Sequence, residues 1–155
     1  AYYQQAIEIH RQINDIDGLQ TAYNNLGYLN LEQKNYSAAV ENYIALAELA
    51  QVAGNALMAS FAFVGLADAY LGNDAVQQAL RSAANALEFS KKVETRIAQG
   101  ISWRALGDVW LELGDAAQAK AYYEQSIPIL EELNEEHDLV KAQRGLEIAA
   151  SRLKS

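Results

Sequence analysis

Cysteine is absent from this chain and proline occurs once, at Pro128. The first absence excludes a disulfide framework and any thiolate metal site, while leaving the compartment open, the cytoplasm being the expectation. The second, with no alternating Val/Ile/Thr segments, excludes a strand-and-turn architecture and points to helices. Positive charge is also sparse: 12 Lys and Arg against 20 Asp and Glu give a net charge of -8, and the basic residues are scattered. Phosphate-backbone binding needs a basic surface, so nucleic acid is not an expected partner. No stretch reaches the roughly 18 apolar residues of a membrane span, and no signal-peptide layout precedes the first helix-like segment. With 51% apolar residues the chain has ample material for a core.

What the sequence does contain is a period. Leu26, Leu66, Leu106 and Leu146 recur at forty-residue intervals. Around them Ala22, Ala62, Ser102 and Ala142 fall in one column, Tyr23, Phe63, Trp103 and Gln143 in the next, and Ala39, Ala79 and Ala119 lie thirteen residues beyond the leucines. Residues Ala1 to Ile7 repeat residues Ala121 to Ile127 with five identities in seven, which places the first residues in the same frame. Such periods mark solenoids, whose units bury their apolar faces only by stacking.

Each period reads as two helices joined by polar turns: Lys34-Asn35, Gly72-Asn73-Asp74 and Gly114-Asp115 within periods, Asn14-Asp15, Gly54-Asn55 and Asn134-Glu135 between them. Each turn supplies a residue tolerant of positive φ and most add an Asn or Asp able to cap the next helix. Eight helices are expected near 1–14, 18–33, 36–53, 57–71, 75–93, 96–113, 116–134 and 137–153. Pro128 lies inside the seventh, where it removes one backbone hydrogen bond and is expected to bend rather than end the helix.

The order of residues in these units resembles the tetratricopeptide repeat: an aromatic, Leu-Gly, a large residue, a Gly-Asp turn, then Ala and an aromatic. The third unit carries Trp103, Leu106-Gly107, Trp110, Gly114-Asp115, Ala119 and Tyr123, and the first carries Tyr23, Leu26-Gly27, Tyr36, Ala39 and Tyr43. HEAT repeats share the forty-residue length without this order. The middle unit departs from the pattern, with Ala67 for the glycine, Gly72 two residues early and Ala83 for the aromatic, and looser packing is expected there. The resemblance implies an all-α, right-handed solenoid of antiparallel helix pairs over the whole chain. It divides into a second helix at 1–14, units at 18–53, 57–93 and 96–134, and a terminal first helix or cap at 137–155, and is expected to be a piece of a longer protein. A fainter likeness, through Tyr122 to Ile129, is to the sensor arrays of large bacterial regulatory ATPases and activators, although no phosphate-binding Gly-rich loop occurs here.

Chemistry is hard to find in the sequence. His10 and His137 lie far apart without metal-ligand spacing, and Glu135-Glu136-His137-Asp138 suits the first turn of a helix, where acidic residues complement the dipole. No nucleophile elbow or phosphate cradle appears, so neither catalysis, a metal nor a cofactor is expected. Asp68 and Asp108 are repeat-equivalent, and neighbouring equivalents are expected about 10 Å apart.

The resemblance implies instead a concave groove built by the first helices of successive units, which binds a peptide or helix of a partner protein. Carried over onto this sequence, its residues are Thr21, Asn24, Tyr28 and Leu31 in the first unit and Phe61, Val64, Asp68 and Leu71 in the second. The third unit contributes Ile101, Arg104, Asp108 and Leu111, and the last helix Lys141, Arg144 and Ile148. Phe61, Val64 and Ile101 form an apolar middle, and Asp68 with Asp108 is expected to favour a basic partner. Of the clamp with which some relatives hold a terminal carboxylate only Asn25 is matched, Gly65 and Ala105 standing at the equivalent places, so that mode is not expected. The alternative role is self-association, as a homodimer or as a structural or sensor segment of a larger bacterial regulatory protein. Ile7, Ile9, Ile13, Leu139, Leu146 and Leu153 of the terminal helices would then be covered by a second copy.

Overall fold

The computed structural model describes residues 1–155 as eight α-helices: α1 (Tyr2–Gln12), α2 (Ile16–Glu32), α3 (Tyr36–Val52), α4 (Ala56–Gly72), α5 (Val76–Ser90), α6 (Ile97–Glu112), α7 (Ala116–Glu132) and α8 (Glu136–Lys154). Each helix packs on its chain neighbours, and α2, α4, α6 and α8 also pack on one another in series, whereas α3, α5 and α7 touch only the helices beside them in the chain. The even-numbered helices therefore form the inner layer of an all-α solenoid and the odd-numbered ones the outer layer. No helix is long and apolar enough to cross a membrane.

Turn chemistry sets the period. Asn14, Lys34, Gly54, Asp74, Gly114 and Asn134 all have positive φ, one every twenty residues with a single gap at position 94. Four of the six are not glycine; Asn and Asp enter this region at modest cost, and Lys34 does so against its Cβ. Gly72 closes α4 and leaves the positive φ to Asp74, so the early glycine of the middle unit does not shift the turn. Asp15, Asn55 and Asp115 accept hydrogen bonds from the amides of Gly18, Met58 and Gln118, capping α2, α4 and α7. Asn35 makes no such cap. At the gap, α5 ends at Ser90, three residues before the expected boundary: the amides of Lys92 and Val93 turn back to the carbonyls of Phe89 and Ser90, and the chain reaches α6 through a bend.

Small residues meet large ones across the layers. The ring of Tyr43 lies against both Gly27 and Gly65, and that of Tyr123 against both Gly107 and Gly145. In the middle unit Ala67 and Ala83 replace the glycine and the aromatic and are fully buried in the main core with Leu106, Val109 and Leu130. The middle unit thus closes over its core with alanine at both places. Buried serines add ties: Ser60 and Ser126 donate to the carbonyls of Ala86 (2.9 Å) and Gly100 (2.6 Å), and Ser60 lies 3.3 Å from Ser102. Pro128 sits within α7 without ending it.

At the ends, Ile7 is already buried against Leu19 and Ala22, and Leu139 and Leu146 pack on the main core. Ile7 is thus buried and Leu139 and Leu146 partly buried within the chain itself, where the expectation had a second copy cover them. Ile9, Ile13 and Leu153 remain exposed.

Candidate partner-binding groove

A concave cavity of about 520 Å³ opens on the inner layer. Eleven of the expected residues line it: Asn24, Tyr28 and Leu31 from α2, Phe61, Val64, Asp68 and Leu71 from α4, Ile101, Arg104 and Asp108 from α6, and Lys141 from α8. Val64 and Ile101 are also members of the main core, so they form a floor rather than free projections. Thr21, Leu111, Arg144 and Ile148 lie outside. Thr21 lines a smaller pocket beside Tyr2, Tyr3 and His10, while Arg144 and Ile148 face solvent. The Leu111 carbonyl receives Arg152 at 2.9 Å.

The cavity crosses the inner layer obliquely. It uses the C-terminal half of α2 but only the first turns of α8, so His137 and Asp138 join it while residues later in α8 do not. Glu32, Tyr36, Tyr43, Gly65 and Gly72 also line it without having been expected to. The rings of Tyr28 and His137 meet edge to face at 5.8 Å, linking α2 to α8, two helices whose backbones do not pack together.

Beneath the polar end lies an ion cluster around Arg104, which is 1% exposed. Its guanidinium donates from Nη1 to Asp68 at 2.6 Å and to Asp108 at 2.8 Å, from Nη2 to Asp68 at 3.0 Å, and from Nε to Asp138 at 2.9 Å. Asp68 and Asp108 share one nitrogen, so their carboxylates converge on Arg104 from α4 and α6. The Tyr123 hydroxyl donates to the second oxygen of Asp108 at 2.6 Å, and the Lys141 ammonium lies 3.8 Å from Asp68. Asp138 suits the first turn of α8, but its carboxylate is spent on Arg104, 34 residues away in sequence.

Burial alone would raise the pKa of Asp68, yet the Arg104 guanidinium outweighs it and holds that carboxyl below the ordinary range. For Asp108, burial wins and the neighbouring Asp68 adds to it, so its pKa is raised despite Arg104. Burial opposes the charge on Arg104 as well, and the three aspartates reverse this, holding it charged. Burial, with Asp108 beside it, raises the Tyr123 phenol, which stays a neutral donor.

Two sequence profiles described as tetratricopeptide repeat match this chain, over residues 56–132 and 20–52. The chain belongs to the tetratricopeptide repeat family. Solved structures agree on the fold. A TPR-like protein from Chlorobium tepidum superposes with a TM-score of 0.68 at 19% identity, covering 87% of this chain and 92% of its own. BtubC from P. vanneervenii gives 0.66 at 15% identity, covering 99% of this chain and 74% of its own. No curated protein matches the sequence. Tetratricopeptide repeats generally mediate protein–protein interaction.

These contacts change the role expected of the acidic pair. The oxygens of Asp68 and Asp108 are each already engaged within the chain, by Arg104, Lys141 and Tyr123. Glu32, exposed at the cavity edge and outside every ion pair of the chain, is the free carboxylate.

Proposed function

We propose that this array is a receptor for an extended, basic and apolar segment of a partner protein, which lies in the concave cavity. The observation that carries this reading is the lining itself, an aromatic and aliphatic wall of Tyr28, Leu31, Phe61, Val64, Leu71 and Ile101 beside an acidic end. A concave apolar surface with few placed polar groups is the usual form of a recognition site. Four carboxylates, Glu32, Asp68, Asp108 and Asp138, stand against the two cations Arg104 and Lys141, so the field in the cavity favours a positive segment. An extended segment is favoured over a helix, since a helix about 10–12 Å across with its side chains would have to displace the Tyr28–His137 contact.

The test is selection of phage-displayed peptides on the intact chain, followed by affinity measurement with Phe61→Asp and Glu32→Lys, each checked for helical content. Enriched peptides carrying Lys or Arg beside apolar residues, weakened by both substitutions, support the groove. Peptides that bind both variants as well as the native chain contradict it. Self-association through the exposed Ile9, Ile13 and Leu153 is the second reading, and the molecular mass in solution at rising concentration tests it.

A further inference from the structure

Tyr43 and Tyr123 hold equivalent places two repeats apart and pack alike, each ring against two glycines. Their hydroxyl groups differ. Tyr123 donates to Asp108, the residue two beyond its unit's recurring leucine. The same place in the first unit is Tyr28, so Tyr43 meets no carboxylate there. Tyr43 is only 4% exposed, lines the cavity, and its hydroxyl has no hydrogen-bond partner within the chain, being held neutral by burial and by nearby Asp68. Asn24, one helical turn before Tyr28 and so on the same face of α2, also lines the cavity with its side-chain amide unengaged. Two polar groups thus face one cavity from α3 and α2 with nothing in the chain to satisfy them, whereas the same hydroxyl two repeats later is satisfied internally.

We propose that the Tyr43 hydroxyl and the Asn24 amide are a main-chain anchor: the phenol donates to a peptide carbonyl of the bound segment, and Asn24 pairs with an adjacent peptide group, its NH2 donating and its carbonyl accepting. This rests on the groove reading above. The chemistry selects a neutral peptide group over an anion, because the anchor sits near the carboxylate of Asp68 in a cavity that Glu32 also lines. An anchor of this kind fixes the direction and register of a segment without reading its side chains, leaving selectivity to the apolar wall and Glu32.

The probe is the set of phage-selected peptides, their affinities measured in solution for the native chain, Tyr43→Phe, Asn24→Ala and Phe61→Asp. Tyr43→Phe is expected to keep the native melting temperature, since its hydroxyl makes no internal bond, and to weaken binding about tenfold, the value of one good hydrogen bond. Tyr123→Phe, which breaks the bond to Asp108, is expected to lower the melting temperature. Peptides that lose affinity for Phe61→Asp but bind Tyr43→Phe and Asn24→Ala at native strength overturn the anchor and leave the groove standing. If no peptide is selected, or none responds to Phe61→Asp, the groove reading fails and the anchor with it.

Discussion

Replacing Arg104 by Met removes the only cation in direct hydrogen-bond contact with Asp68, Asp108 and Asp138, while nearly preserving the volume of the side chain. Breaking one side of a buried ion pair costs about 3–5 kcal/mol, because the abandoned charge stays desolvated. Here the side chain lost is 2% exposed, and three carboxylates on α4, α6 and α8 are left facing one another. For a chain of this length each kcal/mol moves the midpoint by about 2–4 °C, so Arg104→Met should melt roughly 6–20 °C lower at pH 7. Acid distinguishes this cause from simple loss of packing. Asp68, whose folded pKa is depressed, contributes stability that is complete above the unfolded carboxylate value of about 3.9 and lost as pH falls through the folded one. Asp108, raised by burial, has the opposite sign: its contribution is complete below about 3.9 and lost as pH rises through its folded value. Without Arg104 both carboxyls lose their counter-charge, both belong to the second class, and protonation relieves them. Thermal melts followed by circular dichroism should therefore show the deficit of the variant shrinking between pH 7 and pH 5. A loss below about 1 kcal/mol at pH 7, or a deficit equal at both pH values, would refute the reasoning.

Other substitutions probe the packing and the turns. At Gly107 an added Cβ would stand 2.6 Å from the Tyr123 ring; overpacking of about 1–3 kcal/mol should outweigh the gain of about 1 kcal/mol in helix propensity, so Gly107→Ala should lower the denaturation midpoint in urea. Gln20 is 1% exposed with its Oε1 unpartnered, and Gln20→Met should raise stability by about 1 kcal/mol in the same assay. Lys34 holds φ 59° at the turn between α2 and α3, and Lys34→Gly should stabilise by about 1 kcal/mol, since the strain of a Cβ there exceeds the entropy lost by glycine.

The architecture was legible because it is written in local chemistry. A forty-residue column of leucines, glycines facing aromatics and Asn or Asp at the turns each act within one helix pair, and the helices fall within a few residues of their expected bounds. The exception is the end of α5, where no residue at position 94 adopts the positive φ used at the other turns. Of the residues carried over from repeat to repeat, ten on α2, α4 and α6 and Lys141 on α8 line one cavity, while Thr21 on α2 and Leu111 on α6 do not. Arg144 and Ile148 lie outside because the cavity runs obliquely and meets α8 only in its first turns. His137 and Asp138 entered from outside the assumed frame for the same reason. That the charge of Arg104 is consumed inside is not legible locally, since two of its partners are 34 and 36 residues away and only Asp108 is near it in sequence. Tyr43 is the aromatic of the first unit's pattern and packs as such, and that it also lines the cavity, with Tyr28 standing where Asp108 stands two repeats later, needs the structure to see.

The most direct measurement is an amide NMR titration of the 17.0 kDa chain with a selected basic and apolar peptide. The account predicts shifts concentrated at Asn24, Tyr28, Phe61 and Ile101 on the inner layer, with the outer faces of α5 and α7 unmoved. Shifts confined to α1 and the end of α8, or spread over the outer layer, would contradict it.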